Sequence, residues 1–445
     1  MIQTIRNAWK LPELRKKILF TVFALLIFRL GSAVPVPFVN GELLENYLAM
    51  QSGTIFDLMG AMNGSAFSMA TVFALSIQPY INSSIIIQLL TVAIPALERL
   101  AKEGGEEGRK KIAAITRYTT VAIALLQGFG YYTMLKSAVY DQPLLTNDSA
   151  WAAIVIVLTF TAGSAFLMWL GEQITEFGIG NGISMILFAG IVSRGYAMIK
   201  EIYTGVQNSL AGKTVAEVQL RGETVLPWWG AILAVVGMLA MVVFIVYISN
   251  AERKIPVQYA KRVVGRKMYG GQATHIPMKV NMSGVMPVIF AQSIASLPAT
   301  IAAFIPAMQK STFMKVFDTN GWVYAIVYFL LIVAFSYFYA GMSFSPVEVA
   351  NNLKKNGGFI PGFRPGKPTA DFITKVLNKI TMFGALYLGV IALAPIVAGA
   401  LLGDTSNLAM GIGGTSIIIV VGVALETVKA MEAQMLMRHY KGFLE

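Results

Sequence analysis

The side chains that ordinarily carry covalent or metal chemistry are scarce in this chain, and their spacing supports none of it. Cysteine is absent, which removes thiolate nucleophiles, thiolate metal sites and disulfides together. His275 and His439 are the two imidazoles, and neither stands in a His-Glu-x-x-His spacing. There is no evident Ser-His or Gly-x-Gly-Asp site for an intramembrane protease, and no Gly-x-x-x-x-Gly-Lys loop to bind a nucleotide. Glu172 and Glu176 read as acids of a short loop between two spans. The expectation is a protein that is not an enzyme and holds no cofactor or metal. Its informative polar residues lie elsewhere, in the apolar stretch Ser76–Leu90, which contains Gln78, Pro79, Asn82, Ser83, Ser84 and Gln88. With its apolar flanks this stretch is long enough to cross a membrane, yet lipid alone does not favour those groups. Such a span faces other helices or a cavity.

The elements that must position it are membrane helices. The 445 residues are 56% hydrophobic and 13% charged, whereas soluble domains carry roughly 25% charged residues. Ten segments approach spanning length: Ile18–Pro37, Met69–Ile94, Ala113–Leu135, Ala150–Leu170, Ile183–Ile202, Trp228–Ser249, Met282–Ala307, Trp322–Phe344, Ile380–Leu402 and Ile412–Val428. The basic stretch Met1–Lys17 followed by an apolar run mimics a signal peptide. That run is longer than a signal core and lacks an obvious small-residue cleavage site, so it reads as an uncleaved first span.

Charge sets the orientation. With the N-terminus in the cytosol, 26 of the 35 Lys and Arg fall on the cytosolic side, against seven on the other, with Arg29 and Arg117 inside spans. Both termini are then cytosolic. Two related halves of five spans, residues 1–225 and 226–445, must be inverted relative to each other, and Pro79 and Pro287 are a faint internal echo. Two cytosolic loops are large and basic. Residues 250–279 alternate in part like a hairpin through Ile255, Val257 and Tyr259, and residues 351–369 are rich in Gly and Pro. They suit docking to an acidic partner, or orientation beside anionic lipid. Residues 54–68 are apolar but too short and Gly-broken to cross, and survive at membrane depth only inside protein or beside water.

Several of these stretches resemble one family. Phe73–Leu90 is similar to the second span of bacterial SecY, the central subunit of the protein-translocation channel. Met168–Ser184, Lys279–Pro287, the loop from Asn352 through Pro361-Gly362-Phe363-Arg364-Pro365-Gly366, and Gly413–Ser416 are similar to it too. The external loops 208–223 and 309–320 carry no family signature.

The resemblance implies an all-α polytopic fold: ten transmembrane helices in two inverted halves forming an hourglass pore in the bacterial inner membrane. It implies a channel for unfolded secretory polypeptides that releases apolar segments sideways into the bilayer. The ring at its waist maps to Ile77, Ile81, Ile183, Leu187, Ile289 and Ile419. A plug maps to residues 54–68, with Ile55, Phe56, Leu58, Met59, Gly60, Met62 and Gly64. A lateral gate between the second and seventh spans maps to Asn82, Ser83, Gln127 and Asn281. Partner docking maps to Arg253, Lys254, Lys261, Arg262, Lys354, Lys355 and Arg364. The implied partners are small SecE-like and SecG-like membrane subunits, the motor ATPase SecA, the ribosome, signal sequences and lipid. The competing class is a secondary solute transporter, which inverted repeats also fit, although no Asp or Glu sits centrally in an expected span. An insertase without a full pore is a further possibility on composition.

Overall fold

The structure is a computed structural model that describes residues 2–50, 65–137, 139–140, 142–212, 225–259, 262–264, 267–269, 273–282, 284–304, 321–402 and 414–441. The first half contains α1 Ile2–Lys10, α2 Pro12–Gly31, α3 Gly41–Met50, α4 Ser65–Ser68, α5 Gln78–Ala93, α6 Pro95–Lys102, α7 Gly105–Ser137, α8 Ala150–Phe177, α9 Gly182–Ser193 and α10 Gly195–Leu210. The second half contains α11 Trp228–Asn250, α12 Met286–Phe304, α13 Trp322–Ser343, α14 Pro346–Lys355, α15 Lys367–Leu402 and α16 Gly414–Lys441.

Seven helices among the described residues are long and apolar enough to cross a membrane, or eight if α5 and α6 form one span bent by 105° at its break. The chain is an all-α polytopic membrane protein. Helices also occupy the other two expected positions: α2, whose first turns carry Arg15, Lys16 and Lys17, and α12, which contains Pro298. Local chemistry sets several starts. Proline occupies the first turn of α2, α5, α6 and α14, where its missing N–H costs nothing. Asn181 caps α9, its Oδ1 accepting from the backbone of Ile183 at 3.0 Å and Ser184 at 3.3 Å.

The second expected span begins later than the apolar run. Residues 69–77 form consecutive turns, with Ala70 and Ser76 at positive φ, and the helix starts only at Gln78. This irregular stretch is buried in protein: Phe73, Ala74, Leu75 and Ile77 are at most 5% exposed. That satisfies the condition under which non-helical backbone is tolerated at membrane depth. The fifth span breaks at Arg194 into α9 and α10. Glu172 and Glu176 were expected in a loop and instead lie within α8, because that helix runs on to Phe177.

The basic loop 250–279 forms the expected hairpin. Short strands β1 Val139–Tyr140 and β2 Gln142–Pro143 pair earlier in the chain. Here β3 Glu252–Tyr259 and β6 Ala273–Lys279 pair antiparallel from Glu252 with Lys279 to Gln258 with Ala273, with the small pair β4 Arg262–Val264 and β5 Lys267–Tyr269 between them in sequence. A third strand, β7 Gly358–Phe359, comes from the other basic loop and pairs with β3 through Gln258 and Tyr259. The two loops are therefore one three-stranded unit in the order β6-β3-β7. Ile255, Val257 and Met278 of this sheet are buried against Leu353, Ile360, Ile373 and Leu377.

Candidate functional site

The six ring residues come from distant parts of the chain and meet in one apolar cluster. Ile77 is 0%, Ile81 3%, Leu187 2%, Ile289 3% and Ile419 1% exposed, and Ile183 is half-buried against them. Ile77 stands in the turn just before α5, yet its carbonyl accepts from the Ile81 N–H at 3.1 Å, so the pair keeps helical spacing. Gly171 of α8 leaves the floor of this cluster: a methyl group placed there would lie 3.4 Å from Ile77, Ile183 and Ile186 alike. Four segments, the start of α5 and helices α9, α12 and α16, thus contribute aliphatic side chains to one core cluster. No charged or polar group is among the six.

The named plug residues Ile55, Phe56, Leu58, Met59, Gly60, Met62 and Gly64 lie outside the described residues. The end of that segment is anchored: Ala66 and Phe67 are buried, and the Tyr131 hydroxyl donates to the Phe67 carbonyl at 2.7 Å.

The four expected gate residues do not gather in one place. Asn82, Ser83 and Gln127 are buried, and the Ser83 hydroxyl donates to the Thr116 carbonyl at 2.8 Å, joining α5 to α7 within the first half. Asn281 instead lines a cavity of about 70 Å³ with Ser249, Lys279, Tyr387, Glu426 and Lys429, under the entry to α12. Two bonds that join α5 to the second half involve other residues. Gln78 Nε2 donates to Ser293 Oγ of α12 at 3.2 Å, and the Tyr339 hydroxyl of α13 donates to Gln88 Oε1 at 2.6 Å. Gln78 and Gln88 stood out in the sequence as polar groups in an apolar stretch. Ser293 and Tyr339 carried no signal that set them apart from the other polar residues of their helices, such as Gln292, Ser296 and Ser336.

Two acids, Glu172 and Glu426, lie within α8 and α16. Glu172 pairs with Arg117 of α7, Nε to Oε1 at 2.9 Å. Glu426, midway along α16, faces the turn at Gly284 that precedes α12. Gly284 has φ +64°, and a methyl group there would stand 2.8 Å from Glu426 Oε1. The backbone conformation favours glycine, while a methyl group would need only the end of the flexible Glu426 side chain to move aside.

The docking residues divide by surface. Arg253 and Lys254 on β3, Lys354 and Lys355 at the end of α14, and Arg364 are exposed. Arg262 lies on the strand β4 Arg262–Val264, and Lys261 lies outside the described residues. Arg364 is held in a fixed turn: Gly362 and Gly366 adopt φ +86° and +105°, and the Thr369 hydroxyl donates to the Arg364 carbonyl at 2.8 Å. Phe363 packs on Phe372 with ring centroids 4.2 Å apart, anchoring the loop beside its arginine.

The SecY family model matches residues 71–428. A protein translocase subunit SecY from Streptomyces scabiei is 44% identical over the full length of both chains. Among solved structures, a SecY channel described for a plug domain that stabilises its closed state aligns with TM-score 0.62 and 17% identity over 97% of each chain. Sec61 from a canine ribosome-channel complex aligns with TM-score 0.59 and 17% identity, again over 97% of each. At that identity the structures establish a shared fold, while the sequence matches establish descent. The chain belongs to the SecY family.

Proposed function

We propose that the chain is the pore-forming subunit of a protein translocase. It passes unfolded polypeptides through the waist formed by Ile77, Ile81, Ile183, Leu187, Ile289 and Ile419, and releases apolar segments through the seam between α5 and α12. The observation that carries this reading is the convergence of the six aliphatic residues in one buried cluster. An aliphatic constriction seals by dewetting when empty and yields to an extended chain without selecting its sequence. The two halves, residues 1–225 and 226–445, act as inverted five-helix units. The Gln78–Ser293 and Gln88–Tyr339 bonds tie them at the seam.

Both termini face the cytosol of a bacterial plasma membrane, as the basic-residue bias indicates. The exposed Arg253, Lys254, Lys354, Lys355 and Arg364 then form a cytosolic docking face for the ribosome or the SecA motor, and SecE-like and SecG-like subunits complete the complex. The chain performs no bond-making chemistry. Energy enters through the docked partner, because the sequence holds no phosphate-binding loop. Residues 54–68 act as the plug, which accords with the anchored end at Phe67. Family membership leaves the transporter reading without support.

The deciding experiment reconstitutes the chain with its small subunits in sealed vesicles, with motor, ATP and a secretory precursor outside. Protease-protected precursor is expected. Its absence, together with solute-driven ion flux through the chain alone, would replace this reading with the transporter.

A further inference from the structure

Helices α12 and α16 each supply one residue of the waist, Ile289 and Ile419, and a second contact between them lies one turn toward the basic loops. Val285 directly precedes α12. Its carbonyl accepts from the Val288 and Ile289 N–H groups at 3.1 and 3.3 Å, so it opens the helix that carries Ile289. Opposite stands Gly422, buried in the interior of α16. A methyl group on Gly422 would lie 2.1 Å from Val285 Cγ2. The missing side chain is thus a notch, and Val285 fills it. Glycine inside a helix is destabilising relative to alanine, and the close approach of Val285 accounts for it here.

Val285 has little freedom to turn aside. It is β-branched, which restricts its χ1, and it is buried in one cluster with Val288, Ile289, Ile418 and Ile419. Gly284 faces Glu426 as Val285 faces Gly422, so the two stretches run in opposite directions. Ile289 lies one turn beyond Val285 and Ile419 one turn before Gly422, about 6 and 4.5 Å along the respective helices. The filled notch therefore brings both isoleucines to nearly one level. A slip of one residue parts them by about 1.5 Å.

We propose that Val285 and Gly422 are positioning residues for the seal: knob and notch form a register pin that fixes α12 against α16 and holds Ile289 level with Ile419. The inference rests on the channel reading. An aliphatic constriction stays dry only while its side chains close the gap to water. Overfilling or emptying the notch therefore opens a leak without altering any of the six waist residues.

The test measures ion conductance of the idle complex, the chain with its small subunits, in planar bilayers, alongside its thermal midpoint. Gly422→Ala overfills the notch and is expected to raise conductance about tenfold, the scale on which overpacking a fitted contact shifts a structural balance. Val285→Ala empties the notch without a clash and should raise it less. In the double variant the two methyl carbons would stand 3.6 Å apart, an ordinary contact, so conductance should fall below that of Val285→Ala and near the unsubstituted level. That comparison holds whether or not Gly422→Ala assembles alone. Gly389→Ala is the control for overpacking as such: its methyl group would lie 2.5 Å from the Phe329 ring, between α15 and α13, and should lower the thermal midpoint without a leak. Unchanged conductance in Gly422→Ala, no recovery in the double variant, or an equal leak in Gly389→Ala would overturn the pin. Replacing Ile81 and Ile289 together with Asn separates the two readings. If that variant leaks and the pin variants do not, the pin alone falls; if none leaks, the waist on which the pin depends falls too.

Discussion

Ile81 and Ile289 carry the most direct residue-level consequence. Each is 3% exposed within the waist cluster, so a polar side chain at either place brings water to a dry constriction. Replacing both with Asn is expected to raise ion conductance of the idle complex in planar bilayers while leaving its assembly intact; unchanged conductance would remove these residues from the ring. Gly284 offers a stability test. Alanine there must adopt a left-handed backbone conformation, costing about 1–2 kcal/mol, and must also displace the Glu426 carboxylate. Gly284→Ala is expected to lower the thermal midpoint of the purified complex, and Glu426→Ala in the same chain should restore part of it by removing the steric half. No restoration would show that backbone strain accounts for the whole effect. The position of Asn281 shows where the sequence was hard to read. A polar residue at the start of the seventh span fits a gate by type, but in the fold Asn281 lines a cavity with Glu426 and Lys429 of α16, which lie far away in the chain.

The seam helices give a test of movement. The natural absence of cysteine allows Gln78→Cys and Ser293→Cys to be labelled without background thiols. A short thiol-to-thiol linker across this pair should stop translocation of precursors, and a linker cleavable by reductant should restore it on cleavage. Translocation at the normal rate with the link in place would mean that α5 and α12 need not separate. Among the helices themselves, existence was legible and interruption was not. Long apolar runs announced the spans, because lipid demands about 20 such residues whatever they pack against. The turns of residues 69–77 are just as apolar as a helix, and only their burial against neighbouring helices makes a non-helical backbone tolerable. The break at Arg194 and the extension of α8 to Phe177 were hidden in the same way, since neither alters the hydrophobic pattern. The pairing of β7 with β3 joins residues about a hundred positions apart and left no local signature.

For the assembled protein, the exposed basic residues of the two joined loops are the proposed docking face. Arg364 is exposed on a turn fixed by two left-handed glycines and a side-chain hydrogen bond, so a bound partner meets a preorganised guanidinium. Arg364→Glu is expected to cut motor-driven translocation at least about tenfold, as loss of a hydrogen-bonded charge contact at an interface does, while the complex still assembles. Normal secretion by the variant would remove Arg364 from the docking face. The family was legible here because long motifs are properties of sequence. The grouping of docking residues was not, because it depends on two loops becoming one sheet. That sheet also defines a load path. β3 follows α11 directly, β6 leads through a short turn into α12, and β7 lies between α14 and α15. A partner pushing on Arg364 does not deflect one compliant tether. It loads a stiff lever whose arms end on four helices, one of them a wall of the seam.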